Sequence, residues 1–220
     1  FSCNVYFYKA IENITFEELA LIAMEFNFGN KVEIDLASEK KGLIPTPKYM
    51  KKKYEFRDEN GIWITDWARR GTKANMGIGQ GDVLATPLQV INLINIIANR
   101  GHSYTPHLII NKKNIEKKVV NLDLSIWKFL NTAMWDVVNS KKGTGRNAKI
   151  YDSNVNIRGK TGTAQNPHGE DHSWFSGYIT AKNFNKMSVV VMVEHGGRGS
   201  GLASLIAKDI FSYFSSINKD

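Results

Sequence analysis

The last third of the chain constrains the fold most, because three short segments rich in β-branched and aromatic residues follow one another there. These segments span residues 155–158, 173–180 and 188–194. Polar residues around Asn183 and Asn185 separate the second segment from the third, as a turn between paired strands would. A helix is predicted over 203–214. This order predicts an α/β fold in which helices pack against a three-strand antiparallel meander.

Three further helices are predicted upstream from capping residues and apolar spacing. Thr15-Phe-Glu-Glu18 is a capping box that begins a helix over about 15–28. Thr86-Pro-Leu-Gln89 begins a second helix, which Gly101 ends. The third spans about 124–139, where apolar residues recur at helical spacing. Residues 30–82 are irregular and are predicted to form a long, partly structured connection.

Composition excludes several classes of protein. Hydrophobic residues make up 42% of the 220 residues, which is enough for a core and excludes a wholly disordered chain. A single cysteine excludes a disulfide scaffold, and no apolar run reaches the ~20 residues of a membrane span. The formal net charge of +8 could attract polyanions. Without zinc spacing or an RNA-recognition motif, no nucleic-acid partner is predicted, and the lysine clusters are interpreted as solvated loops.

The segment Arg158-Gly-Lys-Thr-Gly-Thr-Ala-Gln165 carries the clearest chemical pattern. Lys160 supplies a cation, and Thr161 and Thr163 supply hydroxyl donors. Gly162 has no Cβ that would block a ligand lying against the strand backbone. A strand edge of this kind can pair with an extended peptide and bind its carboxylate. Lys-Thr-Gly by itself is a weak signal, because a tripeptide also arises by chance.

A second pattern, Ser2-Cys-Asn4, stands at the beginning of the chain. A serine and an amide two residues apart on a turn could relay a proton and orient a substrate. Alone, the pattern has almost no specificity, and a helix cap explains it equally well.

Together with other segments, these two patterns indicate a family. The segments, in chain order, are Ser2-Cys-Asn-Val-Tyr-Phe-Tyr8, Ile34-Asp-Leu36, Gly42-x-x-Pro-Thr46, Gly77-Ile-Gly-Gln-Gly81, Ala85-Thr-Pro-Leu-Gln89, Lys160-Thr-Gly-Thr-Ala-Gln165 and Val193-Glu-His-Gly-Gly197. From Phe1 to about Phe214 the chain resembles the C-terminal part of a class B penicillin-binding protein of the elongation group.

The resemblance implies a fold and an activity. The fold would be the antiparallel sheet packed by helices of penicillin-binding proteins and serine β-lactamases, with residues 1–220 as the C-terminal portion of a single transpeptidase domain. The activity would be a peptidoglycan D,D-transpeptidase. A serine attacks the D-alanyl-D-alanine carbonyl, expels D-alanine and passes the acyl group to the amine of a neighbouring stem peptide. β-Lactams mimic the dipeptide and acylate the same serine.

The resemblance also implies roles for residues of the two patterns. Ser2 would belong to the proton relay, and Asn4 would hold the substrate amide and the catalytic lysine. Lys160 would hold the charge of the relay. Thr161, Gly162 and Thr163 would bind the terminal carboxylate, and the backbone N–H of Thr163 would form half of the oxyanion hole.

The nucleophile of the family lies in a Ser-x-x-Lys motif that precedes Ser-x-Asn, and here only Phe1 precedes Ser2. Three later matches are Ser38–Lys41, Ser125–Lys128 and Ser216–Lys219. Only Ser125–Lys128 could begin a helix, and its chain order is wrong. We therefore expect a fragment that lacks the N-terminal part of the domain and cannot be acylated alone. It should aggregate or unfold easily without the upstream part, and a cooperative, concentration-independent unfolding transition would count against this.

The partners implied are stem peptides ending in D-Ala-D-Ala, β-lactams, the elongation glycan polymerase and the upstream part of the same polypeptide. The implied location is the periplasmic face of the bacterial cytoplasmic membrane, through an N-terminal anchor. No cofactor and no metal are expected. A metal site is conceivable in Pro167-His-Gly-Glu-Asp-His172, but a loop that contacts substrate is the favoured interpretation.

Two alternatives use the same pocket. A β-lactamase or D,D-carboxypeptidase of this fold would deacylate rapidly, and the Gly-Ile-Gly-Gln-Gly81 segment argues against it. A non-catalytic β-lactam sensor would bind the drug tightly without a covalent adduct.

Overall fold

A computed structural model describes residues 2–65, 70–109, 115–181 and 185–218 of the chain. The chain divides into two compact units. The helical unit comprises Ser2–Val32 and Ala37–Thr86, and the sheet unit comprises Glu33–Leu36 and Pro87–Asp220. Within the described ranges, no helix has the length and apolar character needed to cross a membrane.

The helical unit contains four helices and one short hairpin among its described residues. In chain order these are α1 (Asn4–Glu12), α2 (Phe16–Glu25), α3 (Pro47–Tyr54), β1 (Glu55–Arg57), β2 (Trp63–Thr65) and α4 (Arg70–Gly77). Helix α1 packs on α4 so closely that a Cβ at Gly77 would lie 2.9 Å from the Cβ of Ile11. Glycine at that position therefore permits the close approach of the two helices.

The predicted capping box at the start of α2 is confirmed. The Thr15 hydroxyl accepts a hydrogen bond from the Glu18 N–H at 3.1 Å, and the Glu18 carboxylate accepts one from the Thr15 N–H at 2.7 Å. The Thr15 hydroxyl also donates to the Glu18 carboxylate at 2.8 Å. The bonds from the Thr15 N–H and from its hydroxyl lower the pKa of Glu18, because both favour the ionised carboxylate.

Replacing Thr15 by alanine is expected to destabilise the helical unit by about 1 kcal/mol, because the Glu18 N–H loses its acceptor. Urea unfolding followed by circular dichroism would measure this. Glu17→Gln is the matched control, since Glu17 lies in the same turn outside the box, and it should cost only a few tenths of a kcal/mol. Equal effects of the two substitutions would mean that the box contributes nothing beyond charge.

The interpretation of 30–82 as a partly structured connection underestimates its regular structure, since α3, the hairpin and α4 all lie there. Helix α3 begins in a recognisable way, with the Thr46 hydroxyl accepting from the Tyr49 N–H at 3.3 Å and Pro47 in the first turn. The helix is only 8 residues long and carries three consecutive lysines, so it shows little of the apolar periodicity that marks longer helices.

The sheet unit contains the predicted meander. Its elements are α5 (Pro87–Ala98), β3 (His102–Tyr104), β4 (Glu116–Val119), α6 (Leu124–Asn139), a 3₁₀ turn (Arg146–Ala148), β5 (Val155–Ala164), β6 (His172–Ala181), β7 (Met187–Val193) and α7 (Leu202–Ile217). Strands β5, β6 and β7 pair antiparallel in that order, as predicted, and β3 pairs with β4 in a separate hairpin. Strands β5 and β7 are therefore the outer strands of the three-stranded sheet.

Strand β5 is longer than predicted, because it continues through the Lys-Thr-Gly segment to Ala164 instead of ending near Arg158. Both glycines of the segment lie within the ladder with β6, which has ten residue pairs in unbroken register. Gly159 lies opposite Gly177, and a Cβ on Gly159 would come within 2.4 Å of the Phe175 ring. This glycine makes room for the buried ring within a regular strand.

Helix α7 covers one face of the sheet and completes the core of the unit. Phe175, Ile179 and Phe211 are fully buried there, and the Phe175 and Phe211 rings meet edge to face at 6.4 Å. Helix α6 packs along β5 and α5 along β6 and β7. These contacts hold β5, and hence the Lys-Thr-Gly segment, in a fixed position.

Candidate active site

Lys160 lies in the second half of β5, opposite Ser176 of β6. Because successive side chains of a strand point to opposite faces, Lys160 shares a face with Arg158 and Gly162. The other face carries Ile157 and Thr161, whose side chains are buried. Lys160 is thus on the side of the sheet that faces away from α7.

The Lys160 ammonium donates to the backbone carbonyl of Thr161, with an Nζ–O distance of 2.5 Å. The side chain keeps access to solvent along part of its length. Burial nevertheless lowers the pKa of Lys160, because the surrounding protein removes water from the charged form. A lysine with a depressed pKa gives up its proton more readily, which suits a group in a proton relay.

The outer edge of β5 can be identified from Asn139 at the end of α6. Its amide donates to the Ile157 carbonyl at 3.0 Å from outside the ladder. In an antiparallel strand the N–H and C=O of one residue point to the same side, and the side alternates along the chain. The backbone groups of Thr161 and Thr163 therefore point to this same outer edge. An extended peptide that added to β5 would meet those groups.

The side chain of Thr161 is 8% exposed, and its hydroxyl shares a hydrogen bond of 2.8 Å with the hydroxyl of Thr144. Thr144 lies between Gly143 and Gly145 in the loop after α6. This pair braces the strand from its buried side. Because Thr161 is buried and its hydroxyl already has this partner, it is a weaker candidate for direct contact with a ligand than Thr163.

The hydroxyl of Thr163 accepts a hydrogen bond from the N–H of Gly199 at 3.1 Å. An acceptor role toward Gly199 is compatible with donation to a carboxylate, since a hydroxyl can do both. A Cβ at the neighbouring Gly162 would lie 3.2 Å from the Cβ of Trp174 on β6. Glycine at position 162 thus leaves room for the cross-strand tryptophan. It also leaves the strand backbone accessible, because no side chain covers it.

The loop between β7 and α7 is fastened to the end of β6. Ser173 donates its hydroxyl hydrogen to the Arg198 carbonyl at 2.9 Å, and Gly197 donates its N–H to the Asp171 carbonyl at 2.8 Å. Together with the Gly199–Thr163 bond, these contacts tie the loop to β5, which contains the Lys-Thr-Gly segment, and to the start of β6. They restrict the conformations available to that end of the sheet.

The segment 167–172 closes the β5–β6 hairpin. The Asp171 carboxylate accepts from the Asn166 N–H at 3.2 Å, and the His172 Nδ1 accepts from the His195 N–H at 3.0 Å. Across the residues that the structure describes, no group of three or more His, Cys, Asp or Glu side chains is arranged to hold a metal ion. These side chains instead shape the loop.

Ser2 and Asn4 belong to the helical unit, whereas Lys160 belongs to the sheet unit. Asn4 is the first residue of α1, and both Ser2 and Asn4 are exposed. The cap position is Cys3, whose side chain makes no capping hydrogen bond. The Cys3 side chain therefore does not cap α1. The roles of Ser2 and Asn4 stay predictions.

The Ser-x-x-Lys matches show no nucleophile site in the described ranges. Ser125 and Lys128 lie in the first turns of α6, where both are exposed. Ser38–Lys41 lies outside the helices and strands, and Lys219 is outside the described residues.

The sequence patterns missed Asn139, Thr144 and Gly199, which support β5 from three directions. The Gly-Thr-Gly setting of Thr144 was a usable signal, because a hydroxyl residue between two glycines marks a tight loop. Nothing local marks Asn139 or Gly199, since each acts through a contact with a distant part of the chain.

Comparison with known proteins places this arrangement in a family. The protein-family model described as the penicillin binding protein transpeptidase domain matches residues 1–212 of the chain. The chain belongs to that transpeptidase family, with the corresponding α/β fold. Within it, the similarity is to the PBP2/MrdA type of class B penicillin-binding proteins.

Three relatives illustrate this similarity. Peptidoglycan D,D-transpeptidase MrdA of Haemophilus influenzae is 32% identical over 241 residues, which cover 97% of this chain and 35% of the relative. Helicobacter pylori PBP2, in a complex with MreC, is 32% identical with a TM-score of 0.78, covering 97% of this chain and 38% of that one. Pseudomonas aeruginosa PBP2, in complex with WCK 5153, is 29% identical with a TM-score of 0.76, covering 96% and 45%. The chain thus spans about a third of the length of the curated relatives it matches.

Proposed function

We propose that this chain supplies the substrate-binding strand of a serine-type peptidoglycan D,D-transpeptidase. The observation that carries the proposal is the position of Lys160-Thr-Gly-Thr163 on an outer strand, where the backbone groups of Thr161 and Thr163 are directed to the outer edge. Relatives named as D,D-transpeptidases align over 97% of the chain, which supports the reaction class.

In this proposal β5 binds the stem peptide by strand addition. The backbone N–H of Thr163 contributes to the oxyanion hole, and the Thr163 hydroxyl donates to the terminal carboxylate. Lys160 holds the charge of the proton relay. Thr161 acts mainly by bracing the strand, since its hydroxyl is engaged by Thr144.

The acylated serine is proposed to come from an upstream part of the same polypeptide. The Ser-x-x-Lys matches within these residues lack the expected surroundings, so the 220-residue chain alone should not react with β-lactams. Fluorescent penicillin followed by intact mass measurement tests this directly. A one-drug adduct on the chain would place the nucleophile within it and overturn this part of the proposal.

A chimera tests the site itself. The part of the Haemophilus influenzae relative that precedes the aligned region would be joined to this chain. By the family resemblance, that part should supply Ser-x-x-Lys, and the chain supplies β5. We expect the chimera to be labelled by fluorescent penicillin at that serine. A well-folded chimera that stays unlabelled would contradict the proposed role of β5.

The same chimera separates transpeptidation from the alternatives. A transpeptidase should form a long-lived acyl adduct and transfer a D-alanyl-D-alanine substrate to an amine acceptor. Rapid loss of the adduct would indicate a β-lactamase or carboxypeptidase, and binding without an adduct would indicate a sensor module.

The proposed partners follow from the same assignment. They are stem peptides ending in D-Ala-D-Ala, β-lactams and the elongation glycan polymerase, acting at the periplasmic face of the cytoplasmic membrane. The Helicobacter pylori relative is described in a complex with MreC, and another structural relative, 27% identical, is described in a peptidoglycan synthase complex. Co-purification of the chimera with such proteins would test whether this chain presents the same surfaces.

A further inference from the structure

A cleft of about 1030 Å³ lies on the face of the sheet opposite α7. Helices α5 and α6, strand β3 and the even-numbered face of β5 and β6 surround it. Four cationic side chains line its wall: Arg100 after α5, Lys128 on α6, Arg158 on β5 and Lys186 before β7. Arg158 lies two residues before Lys160 on the same face of β5, so the cleft and Lys160 are on the same side of the sheet.

Two of the cations, Arg158 and Lys186, are held in place by neutral groups. The Arg158 Nη1 donates to the Thr180 hydroxyl at 3.3 Å, and the guanidinium lies 5.8 Å from the centre of the Tyr178 ring. The Lys186 ammonium donates to the Ala98 carbonyl at 2.7 Å. These contacts fix the positions of the charges without neutralising them.

Among the described residues, no carboxylate lies within ion-pair distance of Arg100, Arg158 or Lys186. Glu116, at the β3–β4 hairpin beside the cleft, is engaged with His102. The Nε of Arg158 is buried and has no hydrogen-bond partner among the described residues. Burial lowers the pKa of Lys186, and the charges of Arg100 and Arg158 lower it further. The cleft therefore has an uncompensated positive potential.

We propose that this cleft binds an organic phosphate, with Arg100, Arg158 and Lys186 contacting the phosphate oxygens. A single carboxylate would offset one of three positive charges, whereas a phosphate or diphosphate carries two or three negative charges in one group. Guanidinium groups also match phosphate geometry well. The cleft is far larger than a phosphate ion, and exposed rings of Tyr104 and Trp135 at its wall can pack against the remainder of the ligand.

Calorimetric titration of the 220-residue chain with inorganic pyrophosphate tests the site, on material whose helical circular dichroism spectrum and monomeric state are verified first. Pyrophosphate is chosen because it carries the charge without an organic body. We expect one-site binding that weakens as sodium chloride is raised. Arg100→Gln and Lys186→Gln should each weaken it by about tenfold, since each removes a charged hydrogen-bond donor. Both residues are exposed, so these variants should remain folded. Arg158→Gln, at the better-shielded position, should weaken binding at least as much.

Lys142→Gln is the matched control, because it removes one positive charge from an exposed position that does not line the cleft. It should change the pyrophosphate affinity by less than about twofold. Absence of binding, equal weakening by the control, or citrate binding as tightly as pyrophosphate would each overturn the proposal.

A second arm identifies the source of the phosphate. Vesicles of phosphatidylcholine with and without phosphatidic acid, whose headgroup is a phosphate monoester, would be sedimented with the chain. Capture that depends on phosphatidic acid, is lost in Arg100→Gln and is displaced by pyrophosphate indicates a lipid headgroup. Pyrophosphate binding without vesicle capture supports the site and indicates a soluble organic phosphate.

Discussion

Replacing Lys160 by methionine in the chimera is expected to lower the rate of acylation by penicillin by a factor of about 10² to 10⁴. Methionine keeps most of the side-chain volume but lacks the ammonium group, which the Thr161 carbonyl now holds in position. Stopped-flow or quenched labelling with fluorescent penicillin measures the rate. Lys142→Met is the control, because Lys142 is exposed in the loop after α6 and outside β5.

The same substitution, which slows acylation, should slightly increase the free energy of unfolding. The pKa of Lys160 is lowered by burial from its ordinary value of 10.5, so the folded state disfavours the charged form. Between the folded and unfolded pKa values the unfolded chain binds more protons, and the free energy of unfolding of the wild type rises with pH through that window. Lys160→Met should remove this rise and stabilise the chain slightly at neutral pH.

Two results would contradict this assignment. Acylation that is unchanged in Lys160→Met would show that the ammonium takes no part in the reaction. Slower acylation accompanied by a clear decrease in the free energy of unfolding would show that the side chain mainly supports the fold. The combination of slower acylation with retained or increased stability is the outcome expected of a residue that is held for function at some cost in stability.

The elements that sequence patterns predicted correctly are those with strong local signals. The capping box at Thr15 begins α2, and the apolar repeat over 124–139 coincides with α6. The meander was predicted because its strands carry β-branched residues and are separated by polar turns, which act over a few residues. In these parts local preference and tertiary packing agree.

Helix α1 illustrates the opposite case. Its residues Val5, Tyr6 and Phe7 favour strands intrinsically and are 62%, 66% and 45% exposed. The helix is held by packing on α4 at Gly77, which no local pattern reveals. The length of β5 was underestimated for a related reason, since the pairing of Gly159 with Gly177 depends on a residue 18 positions away.

The residues of the candidate site stay predictions, whereas the residues that support β5 were not predicted at all. Lys160 and Thr163 could be named from their motif, because the family resemblance attaches to short contiguous segments. Asn139, Thr144 and Gly199 could not be named, because each contacts β5 from a separate part of the chain. The cationic cleft is of the same kind, since Arg100, Arg158 and Lys186 are close only after folding.

Gly199→Ala is expected to destabilise the chain by roughly 3 kcal/mol, the upper part of the range for overpacking. A Cβ at this position would lie 2.0 Å from the Gly162 carbonyl oxygen and 2.7 Å from the Trp174 carbonyl oxygen. Both obstacles are backbone atoms within the β5–β6 ladder, so neither can rotate away as a side chain would. The loop must move, and its hydrogen bond to Thr163 would be lost.

Urea unfolding monitored by circular dichroism measures the loss, with Gly71→Ala in α4 as the control. A Cβ at Gly71 meets no atom within 4 Å, and alanine is favoured over glycine in a helix. Gly71→Ala should therefore be neutral or slightly stabilising. In the chimera, Gly199→Ala should also slow acylation, because the displaced loop no longer holds the Thr163 hydroxyl. An unchanged unfolding midpoint together with normal acylation would mean that the loop does not position the end of β5.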